Sequence, residues 1–147
     1  MFVIQKILQD LKAKVQNIPI EAMFQKVTQE NVAVIEDKNI AQMEAGLDAH
    51  GLEIEPPYTE FTVGIKKALG QPFDRVTLKN QGDFHKGTKA EVSISGFEMT
   101  NTDSKWGKLS EKYGDVIGLN DTSKQELIDE IYTPQVGQEL VDYFDHG

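Results

Sequence analysis

The sequence of 147 residues lacks cysteine altogether. Without cysteine, the chain can form neither a disulfide framework nor a thiolate zinc site. It also lacks an apolar run near the roughly 20 residues that a membrane span requires. The first residues, MFVIQKILQDLKAKV, contain neither a basic segment nor an unbroken apolar segment, so we expect no signal peptide there. These absences favour a protein that works in a reducing compartment without a membrane partner.

Motifs for catalysis are missing as well. The sequence contains no G-x-S-x-G nucleophile motif and no phosphate-binding loop followed by Lys-Ser/Thr. His50, His85 and His146 are not spaced with one another, or with a carboxylate, as metal ligands on one helical face would be. We expect structural or solvent-exposed roles for all three. The sequence therefore predicts no enzyme, no catalytic or cofactor-binding residue and no metal site.

Apolar residues make up only 39% of the chain, and the formal net charge is −9. The length fits a single domain with a sizeable core, but the apolar fraction is below the usual globular value. A chain of this kind is expected either to bury part of its apolar surface against partners or to have extended ends. Its lysines are interleaved with acidic residues, which argues against the basic patch of a nucleic-acid binder.

Helical spacing begins at the N-terminus. Residues 3–16 place five apolar side chains on one face, which predicts an amphipathic helix: Ile4, Ile7, Leu8, Leu11 and Val15. A second helix is expected to start near Pro19. We predict that residues 1–30 form an N-terminal helical segment able to reach a neighbour, and that residues 31–147 form a single α+β domain. The run from Asn31 to Glu36 fits a helical turn or a short strand.

Capping signals divide the rest of the chain. Asp37 is expected to cap a helix over residues 38–45, and Thr59 a helix over residues 60–69. Ser123 and Glu126 have the spacing of a capping box for residues 124–132, and Thr133-Pro134 repeat a start signal. The helix after Thr59 is predicted to turn four side chains inward: Phe61, Ile65, Ala68 and Leu69. The inward face of the last helix is predicted to consist of Val136, Leu140, Val141 and Phe144.

The strand signal lies between these helices. Ala90, Val92 and Ile94 alternate with polar residues, and Gly96 is expected to mark a turn into a second strand. The sequence therefore predicts an α+β fold. A small antiparallel hairpin at about residues 88–101 is packed by surrounding helices, with helices also at the N-terminus.

Two features are candidates for contacts with a partner. The first is a polar loop that contains one aromatic residue and consists of Lys79, Asn80, Gln81, Gly82, Asp83, Phe84, His85 and Lys86. It is either a mobile surface loop or a subunit-contact loop, with Phe84 buried in that contact or beneath the loop. The second is Trp106, either packed in the core at the start of a helix or a partner anchor.

Short motifs follow one another in a characteristic order. Residues 39–51 read N-x-x-Q-M-x-x-G-L-D-x-x-G, Tyr58-Thr59 precede Lys66, and residues 70–78 read G-x-P-x-D-x-V-T-L. Asn80-Gln81-Gly82-Asp83-Phe84 follow, and then come Asp103-Ser104-Lys105, Leu109, Tyr113-Gly114 and Gly118-Leu119. Over about two-thirds of the chain, this order resembles the virion-morphogenesis and tail-completion proteins of tailed phages, in particular versions from phages of gut Bacteroidetes. Gln81 stands where that pattern has threonine.

The resemblance implies a structural virion protein at the head–tail junction, acting as an adaptor, stopper or tail-terminator ring around the DNA channel. The implied partners are copies of itself in a ring, the portal or adaptor, and tail proteins. The implied location is the virion, assembled in the cytoplasm of the bacterial host. DNA would pass nearby without specific binding, and no cofactor is implied. The net charge of −9 also suits an alternative: a cytoplasmic acidic binding module, such as a phage-encoded inhibitor or DNA mimic.

Overall fold

The computed structural model describes residues 2–146 and shows an α+β fold in which helices surround a two-stranded antiparallel sheet. In chain order, the elements are α1 (Phe2–Gln16), α2 (Ile20–Glu30), α3 (Val32–Glu44), α4 (Glu60–Ala68), α5 (Asp83–Lys86), β1 (Thr88–Ser93), β2 (Gly96–Asn101), α6 (Trp106–Tyr113), α7 (Asp121–Leu127), a π-helical turn (Ile128–Tyr132) and α8 (Thr133–His146). The predicted fold class is confirmed.

The hairpin lies where the alternating pattern predicts it. Its register pairs Val92 with Phe97 and Ser93 with Gly96. The turn therefore falls on residues 94–95, and Gly96 begins β2 instead of forming the turn. The outer edge of β1 is partly covered, because the Ala90 N–H donates to a Glu36 carboxylate oxygen of α3 at 2.9 Å. A side chain that occupies an edge donor removes a pairing site for another strand.

The two N-terminal helices pack differently. α2 begins directly after Pro19, as predicted, and packs against α8 and the hairpin. α1 is also helical, as predicted, but within the described chain its apolar side chains stay about half exposed or more. The expected division of the chain at residue 30 stays a prediction.

The segment after Asn31 is helical and not a strand. Asn31 separates α2 from α3, and its side-chain amide donates to the Val27 carbonyl oxygen at 2.7 Å and to Gln135 Oε1 at 2.8 Å. Asp37 lies inside α3, so its predicted role as an N-cap was wrong. Ile35, two residues earlier, is buried, and its packing stabilises the helix across the capping signal.

The C-terminal helices are joined by the π-helical turn. The N-cap of α7 is Asn120, whose side chain accepts a hydrogen bond from the Ser123 N–H, so the predicted capping box at Ser123 was wrong. Pro134 does not start a new helix either, because the chain remains helical from α7 through the turn into α8. Proline lacks an N–H and clashes with the carbonyl four residues earlier, and a π turn is one way to relieve that clash.

The core has two parts. The first core cluster contains Met43, Ile54, Val76, Phe84 and Val116, and the second core cluster contains Ile35, Leu119 and Leu127. α3 contributes to both, through Met43 and Ile35. The inner face of the hairpin packs on the second cluster through Ala90, Phe97 and Met99. On α8, Val136 is buried as predicted, but Val141 and Phe144 are exposed.

Candidate contact site around residues 79 to 86

The predicted contact loop is open only at its start. Residues 79–82 have no helical or strand structure, and residues 83–86 form the single turn of α5. Leu78 at φ +60° and Gly82 at φ +89° bend the chain at the two ends of the open part. Glycine adopts this left-handed conformation without steric cost, whereas leucine does so only where the surrounding structure enforces it.

Phe84 lies beneath the loop and not on its surface. Its side chain is 3% exposed and belongs to the first core cluster. The sequence left two placements open for Phe84, in a contact with another subunit or beneath the loop. The structure places it beneath the loop. A residue buried in this way anchors the loop from inside and is not available to a partner.

His85 is buried next to Phe84. Its Nε2–H donates to the Thr77 carbonyl oxygen at 2.7 Å, which ties α5 to the extended segment before the loop. Its Nδ1 has no hydrogen-bond partner among residues 2–146, and the nearest carboxylate oxygen, of Glu44, is 3.9 Å away. Gly82 is buried as well. The proposed contact loop therefore has to be corrected: Gly82, Phe84 and His85 are buried, and the exposed members are Lys79, Asn80, Gln81, Asp83 and Lys86.

A pocket of about 350 Å³ lies between the loop, α4 and α6. Lys66, only 8% exposed, reaches across it. Its Nζ donates to the Lys79 carbonyl oxygen at 3.0 Å and to Gln71 Oε1 at 3.4 Å, and it lies 4.8 Å from the centre of the Tyr58 ring. A buried ammonium group needs such partners to offset its desolvation. Lys66 therefore fixes the start of the loop.

Tyr58 links the same pocket to the core segment. The Thr77 N–H donates to the Tyr58 hydroxyl oxygen at 3.0 Å. Burial works against ionisation of the phenol, but the hydrogen bonds from Thr77 and the charge of Lys66 outweigh it and lower the pKa of Tyr58. Two residues of the sequence pattern, Tyr58 and Lys66, thus contact each other directly.

The α4 helix presents the opposite face to that expected. Thr59 caps it as predicted, accepting a hydrogen bond from the Thr62 N–H. However, Phe61 is 79% exposed, and Ile65, Ala68 and Leu69 are exposed as well, so the predicted inward face was wrong. Lys66 takes the inner side because its long apolar stem packs inward while its ammonium group finds a carbonyl oxygen. In the single chain, the face of Phe61, Ile65 and Leu69 remains open.

Trp106 begins α6 and lies partly buried against the first core cluster. Its backbone N–H donates to the Asp103 carbonyl oxygen at 3.1 Å. Trp106 as a whole is partly exposed, and its neighbours Lys105 and Leu109 line the pocket. Core packing therefore accounts for one side of Trp106, and its role as a partner anchor stays a prediction.

Asn39 and Gln42 form a polar clamp that the sequence signals only as part of a motif. Asn39 is fully buried; its amide donates to the Val116 carbonyl oxygen at 3.2 Å and its Oδ1 accepts from the Gly118 N–H at 2.8 Å. Gln42 donates to the Gly118 carbonyl oxygen at 2.8 Å and accepts from the Asn120 N–H at 2.9 Å. The clamp satisfies buried backbone groups of residues 116–120. The N-x-x-Q spacing places both amides on one side of α3.

Among residues 2–146, no group of three or more His, Asp or Glu side chains is arranged to hold a metal ion. Within the same residues, no helix has the length and apolar character needed to cross a membrane.

Comparisons with protein-family models, with curated proteins and with solved structures found no match for this chain.

Proposed function

We propose that this protein is a structural component of the head–tail junction of a tailed phage, forming a ring around the DNA channel as an adaptor, stopper or tail-terminator. Its partners would be copies of itself, the portal or adaptor, and tail proteins. The observation that carries the proposal is the amount of ordered apolar surface that the single chain leaves open. The faces of α1 and of α4 are both exposed, and open patches of this kind mark interaction sites.

The sequence pattern supports the same proposal through its structural role. Asn39 and Gln42 clamp the segment around Gly118, and Tyr58 contacts both Thr77 and Lys66. The residues of the pattern thus hold the fold together and do not converge on a reactive centre. That is the behaviour expected when a shared pattern belongs to structural proteins, and it favours a role without catalysis.

Two surfaces are the proposed sites of contact. The first is the pocket rim made by the exposed loop residues Lys79, Asn80 and Gln81 together with the open face of α4. The second is the accessible side of Trp106, because tryptophan is enriched among residues that contribute most to binding. A ring subunit needs separate surfaces for its neighbours and for the protein above or below it.

Mass spectrometry of purified virions is the direct test. The protein should be present in a fixed multiple-copy ratio to the portal and should co-purify with particles through density centrifugation. Cryo-electron microscopy should then place it in a ring between head and tail. Its absence from purified virions, or its presence as a single copy without cyclic symmetry, would overturn the proposal.

The acidic composition favours one alternative function. A net charge of −9 suits a cytoplasmic inhibitor or DNA mimic that competes with DNA for a basic protein surface. The gene neighbourhood separates the two proposals. Genes for a portal and a major capsid protein next to this one favour the virion role, whereas a position among early regulatory genes favours the inhibitor.

DNA passage gives a further expectation. A channel lined by acidic residues repels phosphates and so avoids trapping the genome. We expect the purified protein to show no salt-sensitive binding to duplex DNA in a mobility-shift assay. Binding at physiological salt that weakens steeply as salt is added would contradict this expectation.

A further inference from the structure

Helix α1 carries an apolar stripe that is open to solvent. Its members, each between 49% and 59% exposed, are Ile4, Ile7, Leu8, Leu11 and Val15. α1 is tied to the end of α8, where the Tyr143 hydroxyl donates to the Lys14 carbonyl oxygen at 2.8 Å and Lys14 Nζ donates to the Phe144 carbonyl oxygen at 3.2 Å. A helix of 15 residues is only marginally stable in water without a packed face. The stripe therefore needs a partner surface.

An apolar groove of about 1080 Å³ lies between α2, the hairpin turn and the α7–α8 helices. Four of its aliphatic and aromatic side chains are open to solvent: Ile20, Phe24, Ile94 and Ile128. Ile94, at the tip of the hairpin, is 72% exposed. Together they form a concave surface suited to an apolar partner.

The wall of the groove is rigid and locally unusual. The rings of Phe24 and Tyr132 stack with their centres 5.6 Å apart, and the hydroxyl groups of Tyr132 and Thr28 are hydrogen-bonded at 2.6 Å. The π-helical turn, from Ile128 to Tyr132, lies along this wall. Such turns occur frequently at functional sites. The groove is thus held in shape by contacts of its own.

Shape and charge identify the occupant. An amphipathic helix laid into an apolar groove is a recurring recognition mode, and α1 is about 22 Å long at 1.5 Å per residue. α1 carries three lysines against one aspartate, whereas the whole chain has a net charge of −9. Long-range attraction therefore favours the approach of α1 to the body of another copy, while the groove lining itself carries one acidic and one basic residue, Glu21 and Lys124. Lys14 ties α1 to the end of α8, and none of the described residues of α1 lines the groove of its own chain.

We propose that α1 of one copy docks in the groove of a second copy. Since the donor and acceptor surfaces are different, each copy can give one helix and receive another, and such head-to-tail contacts generate rings when the rotation closes. Closure of these contacts into a ring rests on the proposed function. Association of the copies rests on the described surfaces alone.

The first experiment removes the stripe. The full chain is examined by size-exclusion chromatography with light scattering over a range of concentrations, and wild type should form oligomers that dissociate on dilution. The double variant Leu8→Gln/Leu11→Gln keeps good helix formers and should weaken association about tenfold or more. The matched control, Leu52→Gln/Phe73→Gln, removes two exposed apolar side chains that line neither the groove nor the proposed contact rim, and it should leave association unchanged.

The second experiment blocks the groove. Gly137 of α8 lines it, and a Cβ added there meets no atom within 4 Å. Gly137→Arg should therefore fold, while filling the groove and repelling the lysines of α1. Gly107→Arg makes the same change at an equally open glycine of α6. Association should be lost about tenfold or more in the first variant and kept in the second.

Mixing the two defective proteins gives the decisive result. The stripe variant retains an intact groove, and the groove variant retains an intact α1, so an equimolar mixture should form a one-to-one dimer and nothing larger. A monomeric wild type at high micromolar concentration, or a mixture that stays monomeric, would overturn the inference. A wild-type monomer whose melting temperature falls in both variants would show instead that α1 folds back into its own groove.

The assay is independent of the proposed function. If the copies associate through α1 but purified virions lack the protein, the head–tail function fails and the docking contact stands. If virions contain the protein in a ring but the stripe variant is incorporated normally, the docking contact fails and the function stands.

Discussion

Helices α1 and α3 are of similar length, yet they have opposite surroundings. α3 buries Ile35 and Met43 in the core and adds the amides of Asn39 and Gln42, which are matched to particular backbone groups. α1 presents a purely aliphatic stripe that nothing in residues 2–146 covers. Buried polar pairs fix one partner, because any other arrangement leaves them unsatisfied. α3 is therefore packed within its own chain, whereas the apolar face of α1 is available to another molecule.

The largest effect on the free energy of unfolding is expected for phenylalanine, which occurs at one buried and one exposed site that can be compared. Phe84→Ala should lower the free energy of unfolding by about 3–5 kcal/mol, since it empties the first core cluster. Phe61→Ala, at a 79% exposed site, should change it by no more than about 0.5 kcal/mol. Urea denaturation of both variants measures the difference. Similar small losses for both would mean that the loop is not anchored from within.

The next largest effect on the free energy of unfolding is expected at the polar clamp. Asn39→Leu removes a donor and an acceptor and leaves the buried Val116 carbonyl and the partly buried Gly118 N–H without these partners. We expect a loss of about 3 kcal/mol in the free energy of unfolding, because each orphaned group costs about 1–3 kcal/mol. Asn80→Leu, in the open loop, is the control and should be nearly neutral. An equally neutral Asn39→Leu would show that the clamp does not define the position of α3.

A smaller effect is expected at the pocket. Lys66→Met keeps the apolar stem but loses the hydrogen bond to the Lys79 carbonyl oxygen, which should cost about 1.5 kcal/mol. Amide hydrogen exchange should speed up at residues 79–82 in particular. Lys67→Met, at the adjacent exposed lysine, serves as the control. Unchanged exchange in the Lys66 variant would mean that the loop is held by Phe84 and His85 alone.

The smallest effect concerns the surface charges that join α3 to α7. The hydrogen bond to Glu126 raises the pKa of Lys38, against the opposing effect of burial. The stabilisation is therefore complete below the usual lysine pKa and is lost as the pH rises through the raised value. Lys38→Met should cost less than about 1 kcal/mol, since its carboxylate partners are largely exposed and solvent screens them.

Denaturation at two pH values tests the sign of this effect. The difference between wild type and Lys38→Met should be present at neutral pH and should shrink above about pH 11, where lysine loses its charge. Lys12→Met on α1 should show neither the loss nor its pH dependence. A difference that grows at high pH would contradict the assignment.

Periodicity and capping signals predicted most of the helices and the hairpin, because spacing along the chain reports local geometry directly. The single turn of α5 lies in a segment predicted to be a loop, and the start of α3 was left open between helix and strand. Periodicity could not predict which face of α4 turns inward. An apolar stripe favours burial but does not say against which molecule, and Lys66 takes the inner side only because the distant Lys79 carbonyl oxygen is there to receive it. The local capping signal at Asp37 did not predict the start of the helix for a similar reason. The burial of Ile35 stabilises a helix that begins before Asp37.

The surroundings of the candidate loop could be predicted only in part, and its role as a contact site stays a prediction. The loop from Lys79 to Lys86 does lie beside a pocket, and its glycine does bend the chain. The depth of Phe84 could not be predicted, since the core residues around it come from four separate segments, contributing Met43, Ile54, Val76 and Val116. Sequence reasoning did single out Asn39, Gln42, Tyr58 and Lys66, but only as letters of a motif without contacts.

The π-helical turn between α7 and α8 has a consequence for how this chain can change length. A π turn closes its hydrogen bonds over five residues instead of four, so it stores one additional residue without turning the helices on either side. Elsewhere in a helix, the loss of one residue rotates everything beyond it by about 100°. Residues 128–132 are thus the place where a homologue one residue shorter would carry its gap, with Leu127 and Val136 still facing the same core.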